Sequence, residues 1–80
     1  MKVKVYITLK EGVLDPQGKA IEGALGHLGF SGVNDVRQGK FIEFSIDEKN
    51  KEKAESIVED ICKKLLANTV IENYKFELED

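Results

Sequence analysis

The chain of 80 residues has one cysteine, one histidine, one proline and no tryptophan, and several of these scarcities limit its chemistry. Cys62 alone makes no internal disulfide and has no second thiol with which to build a metal or redox pair, which suits a reducing compartment. His27 would need convergent Asp, Glu, Cys or Ser partners to act as a general base or metal ligand, and spacing identifies none. A single arginine, Arg37, in a chain of net charge -3 leaves no basic footprint for a phosphate backbone, so nucleic acid is disfavoured as a partner. No apolar run approaches the roughly 20 residues of a membrane span. Met1 to Val5 enters a strand pattern instead of a signal peptide, so the expected location is cytoplasmic.

What is present is ordinary globular patterning, 41% hydrophobic and 34% charged. From Lys2 to Lys10 the residues alternate, with Val3, Val5, Ile7 and Leu9 on one face, which predicts a strand with one buried side. Gly12 breaks it. Asp15 is a good N-cap, because its carboxylate accepts from free N–H groups of the first helical turn, and Pro16 fits the first helical position with φ already set. The helix that follows places Ile21, Ala24, Leu25 and Leu28 on one apolar stripe, and Gly29 reads as its C-cap.

Val33 to Val36 and Phe41 to Ile46 look extended, with Arg37, Gln38, Gly39 and Lys40 between them. Gly39 allows two readings, a tight hairpin turn or a bulge within one long strand of about 14 residues. A long strand would overhang its own sheet and offer an edge to another copy of the chain. After Asp47 to Asn50 a second helix is expected, with Ala54, Ile57, Val58, Ile61 and Leu65 on its buried stripe. Glu48 and Glu52 near its start and Lys63 and Lys64 near its end suit the helix dipole. Cys62, next to that stripe, reads as a small apolar side chain. Val70 to Leu78 alternates again and forms the last strand.

The fold class is therefore α+β, a single domain over residues 1–80 in the order β-α-β(β)-α-β. With a hairpin at Gly39 this is the ferredoxin-like arrangement, two helices on one face of an antiparallel sheet. The opposite face, with Lys4, Tyr6, Thr8, Phe41, Glu43 and Ser45, is semi-polar and reads as an oligomer surface. A chain this short buries only about 60% of its unfolded surface, so self-association is expected.

No catalytic set emerges. The first strand-to-helix junction has glycines that could cradle a phosphate, but Asp15 fills it with negative charge and neither common phosphate-loop pattern is present. The junction also lacks the Arg of acylphosphatases, and the chain lacks the paired-cysteine loop of metal chaperones with this element order. Tyr6 and Phe41 could stack bases only on a basic surface that the chain lacks. Arg37 and Lys40, beside Gly39, suit either a solvated turn or a partner contact, since Arg is enriched at interfaces.

The string Thr8-Leu9-Lys10-Glu11-Gly12-Val13-Leu14-Asp15-Pro16-Gln17-Gly18-Lys19-Ala20-Ile21, with Ala24-Leu25, Leu28-Gly29-Phe30, Val33 and Val36-Arg37-Gln38-Gly39-Lys40, resembles the PurS family over nearly the whole chain. That family is the small subunit of the multi-chain phosphoribosylformylglycinamidine synthase of purine biosynthesis. One departure is Thr69, where the family usually carries proline before Val70-Ile71-Glu72. The resemblance implies a non-catalytic subunit, a homodimer or dimer of dimers, that joins a glutaminase subunit to a large synthetase subunit and assists ammonia transfer. It implies no cofactor on this chain, with ATP and Mg²⁺ on the large partner. Gly12, Asp15, Gly18, Arg37, Gly39 and Lys40 match the family motif and are the partner-interface candidates. An ACT-like domain that binds a small regulatory molecule shares the element order and stands as the alternative.

Overall fold

A computed structural model describes all residues, 1–80. The expected alternation of Val3, Val5 and Ile7 yields β1, Lys2–Leu9, the central strand of an antiparallel three-stranded sheet. On one side it pairs with β2, Gly39–Ser45, from Lys2 opposite Ser45 to Thr8 opposite Gly39. On the other it pairs with β3, Glu72–Glu79, from Lys2 opposite Glu79 to Leu9 opposite Glu72. The main-chain bonds between Met1 and Ile46 prolong the first pairing by a step, with Ile46 N–H donating to Met1 O at 3.0 Å.

Two helices complete the chain, α1 over Pro16–His27 and α2 over Lys51–Ile61. Asn50 caps α2 by accepting from Lys53 N–H at 3.0 Å. The helix then widens into a π-type turn, Cys62–Leu66, closed by Ala67 N–H donating to Cys62 O at 2.9 Å. This turn corrects the expected stripe. Ala54, Val58 and Cys62 are fully buried, four residues apart, and Leu66 packs on the core, whereas Ile57 is 40% and Leu65 80% exposed. An extra residue in the last turn rotates Leu65 outward and brings Leu66 inward. Asn68 to Ile71 then turn the chain into β3 with Thr69, and no proline, in the turn. Ile71 N–H donates to Asn68 O at 3.0 Å and the Asn68 side chain accepts from Val70 N–H at 3.2 Å.

The core lies between α2 and the sheet, with Val3, Val5, Ile7, Val58 and Cys62 at no more than 1% exposure. Burying a side chain of the Val or Ile type contributes about 1.5–3 kcal/mol. Only 8 of the 80 residues are buried, however, and α1 accounts for one of them, Gly18. The expected α+β class and antiparallel sheet are present, and α2 covers the sheet as expected. Helix α1 does not. It stands off the sheet with Ile21 41% and Leu28 72% exposed, and the nearby Leu14, Phe30 and Val33 are also open.

Residues 33–38 return alongside α1 without pairing to any strand. Gly39 is therefore not a hairpin turn, and β2 begins at it instead of running as one strand of 14 residues. Asp35, at φ 56°, breaks the extended path. Helix α1 and residues 33–38 together form an arm projecting from the sheet. The molecule measures 49 × 26 × 15 Å with a radius of gyration of 16.1 Å, against about 12 Å for a compact chain of this length.

Candidate functional site

The arm meets the sheet at the junction that the sequence marked. Gly12 lies in the turn closed by Val13 N–H donating to Lys10 O at 3.2 Å, and its φ of 84° is one that side chains rarely adopt. Asp15 then caps α1 as expected, its Oδ1 accepting from Gly18 N–H at 2.8 Å. Its other oxygen does something that spacing did not reveal, accepting from Gln38 N–H at 2.9 Å across the junction. The Gln38 and Gly18 N–H groups, in that order, hold the Asp15 carboxyl below its ordinary range, with the nearby Arg37 charge adding to the effect.

Gly18 and Gly39 serve close approach. A β-carbon on Gly18 would lie 2.4 Å from Val36 O, and one on Gly39 would lie 2.4 Å from Ile7 O. Arg37 turns back on its own chain, its guanidinium donating to Leu9 O and, at 3.2 Å, to Lys10 O. Lys40 remains the open cation, 66% exposed, with Glu72 at 3.6 Å across the end of β1. Glu72 in turn accepts from Asn68 N–H at 2.7 Å.

Asp15, Gly39 and Lys40 thus line one cavity of about 290 Å³ with Gln17, Gln38 and Glu72, and Arg37 and Asp15 line a neighbouring one of about 310 Å³. Gln38 Nε2 donates to Gln17 Oε1 at 2.9 Å, and Glu22 accepts from Val36 N–H at 3.2 Å. Gln17, Glu22, Gln38 and Glu72 were not singled out from the sequence, because each works through a partner at least four residues distant. Away from this junction, His27 is exposed at the end of α1. Cys62 is buried, and burial pushes its thiol up. On the sheet, Tyr74 O–H donates to Glu59 at 2.6 Å, which, with burial, raises the phenol to about 12.

The fold and this junction define a small α+β protein whose marked residues frame a projecting arm. The family model for PurS, described as phosphoribosylformylglycinamidine (FGAM) synthase, matches residues 2–80. The chain belongs to the PurS family, the small subunits of that synthase. It is 52% identical over 79 residues to phosphoribosylformylglycinamidine synthase subunit PurS of Bacillus subtilis, covering 99% of this chain and 93% of the relative. The crystal structure of Methanocaldococcus jannaschii PurS, one of the subunits of formylglycinamide ribonucleotide amidotransferase in the purine biosynthetic pathway, superposes with a TM-score of 0.87. Identity is 47%, over 99% of this chain and 95% of that one. A chain in a structure of PurLQS from Thermotoga maritima matches at 36% identity with a TM-score of 0.86, over 95% and 93% of the two chains. The ACT-like alternative finds no support among these relatives.

Proposed function

We propose that this chain forms a homodimer by exchanging its arm and, as that dimer, joins the glutaminase and the large synthetase subunits of phosphoribosylformylglycinamidine synthase. The observation that carries the reading is the arm itself, an amphipathic helix whose apolar stripe is left open beside a sheet only partly covered by α2. Helix α2 leans to the β3 side, while Ile42, Phe44 and Ile46 of the β2 side are only half-buried. A second copy offers a complement, since its own α1 stripe is apolar and exposed at Ile21 and Leu28. The PurLQS structure supports the larger assembly, as its chain shares this fold.

In this reading glutamine is hydrolysed on the glutaminase, ATP and Mg²⁺ bind on the synthetase, and this chain supplies neither site. It holds the two in register and assists ammonia transfer between them, in the cytoplasm. Gly12, Asp15, Gly18, Arg37 and Gly39 contribute by shaping the arm, and Lys40 is the candidate for direct partner contact. The test is glutamine-dependent amidine formation by the purified glutaminase and synthetase with and without this chain, beside sizing of the mixture. Activity and a larger complex that both require the chain are expected. Full activity without it, and no co-elution, would overturn the assignment. Lys40→Ala should weaken co-elution at least several-fold while moving the melting curve little, because it removes only the exposed end of the pair with Glu72 and sets no like charge against it. Reversing Arg37 would not isolate an interface in this way, because its guanidinium holds the end of β1.

A further inference from the structure

The arm is joined to the sheet by two stretches of chain, residues 10–15 and 37–39, and both are tied by side chains that belong to no core. One Asp15 oxygen holds the start of α1 through Gly18 N–H at 2.8 Å, and the other holds Gln38 N–H at 2.9 Å, 23 residues away in sequence. Arg37 reaches the other way, donating to the carbonyls of Leu9 and Lys10 at the end of β1. Within the arm, Gln17 and Glu22 bind Gln38 and Val36. The two ties are thus arranged in series: Asp15 binds helix to return segment, and Arg37 binds return segment to sheet.

We infer that Asp15 and Arg37 form a latch that fixes the direction of the arm, holding it out to receive a second copy and preventing it from swinging about its two connections. Hydrogen bonds to an ionised group are the stronger kind, and each of these charged groups bonds two main-chain atoms. A fixed arm associates without first giving up the freedom of a swinging one, so the latch acts on affinity without touching the partner. This inference rests on the exchanged dimer proposed above. It assigns Asp15 and Arg37 as positioning residues of that assembly.

The variants Asp15→Asn and Arg37→Met separate this role from simple capping. Asparagine remains a good N-cap, but one of its two polar atoms is a donor, so it cannot accept from both Gly18 and Gln38. Sedimentation equilibrium should show the dimer Kd raised about tenfold in each variant, with the far-ultraviolet circular dichroism of the parent retained. The double variant should be little weaker than Arg37→Met, because ties in series fail together. Arg37→Lys should recover part of the loss. Pulsed electron-spin distances between labels on Lys19→Cys and Glu43→Cys of one protomer, diluted in unlabelled protein, give a readout independent of stability. A narrow distribution in the parent and a broad one in the variants is expected. Variants that are folded, associate within twofold of the parent and keep the narrow distribution would overturn the latch. A parent that sediments as a 9.0 kDa monomer at every concentration would instead overturn the exchanged dimer on which it rests.

Discussion

Gly39 and Tyr74 show how much single atoms decide in a chain with so small a core. A methyl group on Gly39 would be driven into the carbonyl of Ile7, main chain against main chain, where neither side yields cheaply. Gly39→Ala should therefore cost about 1–3 kcal/mol, read as a lower urea midpoint with an unchanged slope. Tyr74 is a pH-dependent case. Its neutral phenol donates to Glu59, so its pKa in the folded protein rises to about 12 from an ordinary 10. A raised value in an acid means that the fold favours the protonated form. The contribution is whole below pH 10 and fades as the pH climbs toward 12. The stability advantage of the parent over Tyr74→Phe should accordingly shrink between pH 9 and pH 11.5 in urea titrations. An advantage that stays constant across that window would show that the phenol proton does not carry it.

At the scale of elements, the end of α2 separates what periodicity reveals from what packing decides. The strands were legible because a period of two with Val3, Val5 and Ile7, or Tyr74, Phe76 and Leu78, fits no helix. Asp15 before Pro16 marked the start of α1 through local chemistry alone. Leu65 and Leu66 were not separable in this way. An unbroken α-helix puts Leu65 on the stripe, and only the π-type turn, whose extra residue is settled by the fit of Cys62 and Ala67 against the sheet, puts Leu66 there. Leu66→Ala should cost about 2 kcal/mol and Leu65→Ala less than about 0.5 kcal/mol in thermal unfolding, the reverse of the order that the stripe suggests. The junction was legible in its residues but not in its contacts. Asp15 with Gln38, and Arg37 with Leu9 and Lys10, meet across more than 20 residues, and nothing local encodes such a pairing. Residues 33–36 look extended from Val33 and Val36, whereas Asp35 takes a left-handed conformation that composition does not announce.

The whole molecule is long and thin, 49 Å by 15 Å at its extremes, because one of its two helices has no surface of its own to cover. Ile21 and Leu28 are the open positions of that helix. On the exchanged dimer proposed above, changing both to Asp should leave the sheet and α2 intact, raise the dimer Kd by more than about a hundredfold, and remove the dependence of Tm on protein concentration that such a dimer has. Sedimentation and melting at two concentrations check this. A dimer that survives both substitutions would mean that the α1 stripe is not where copies meet. The uncovered stripe also bears on the time course of synthesis. If the last part of the apolar burial is completed only when two chains meet, maturation is a second-order process, and its half-time lengthens as the chain becomes scarce. A cell making few copies would hold each one longer in its unpaired form, with Ile21, Leu28 and Phe30 open to proteases. The steady amount of mature subunit would then rise more steeply than in proportion to its rate of synthesis.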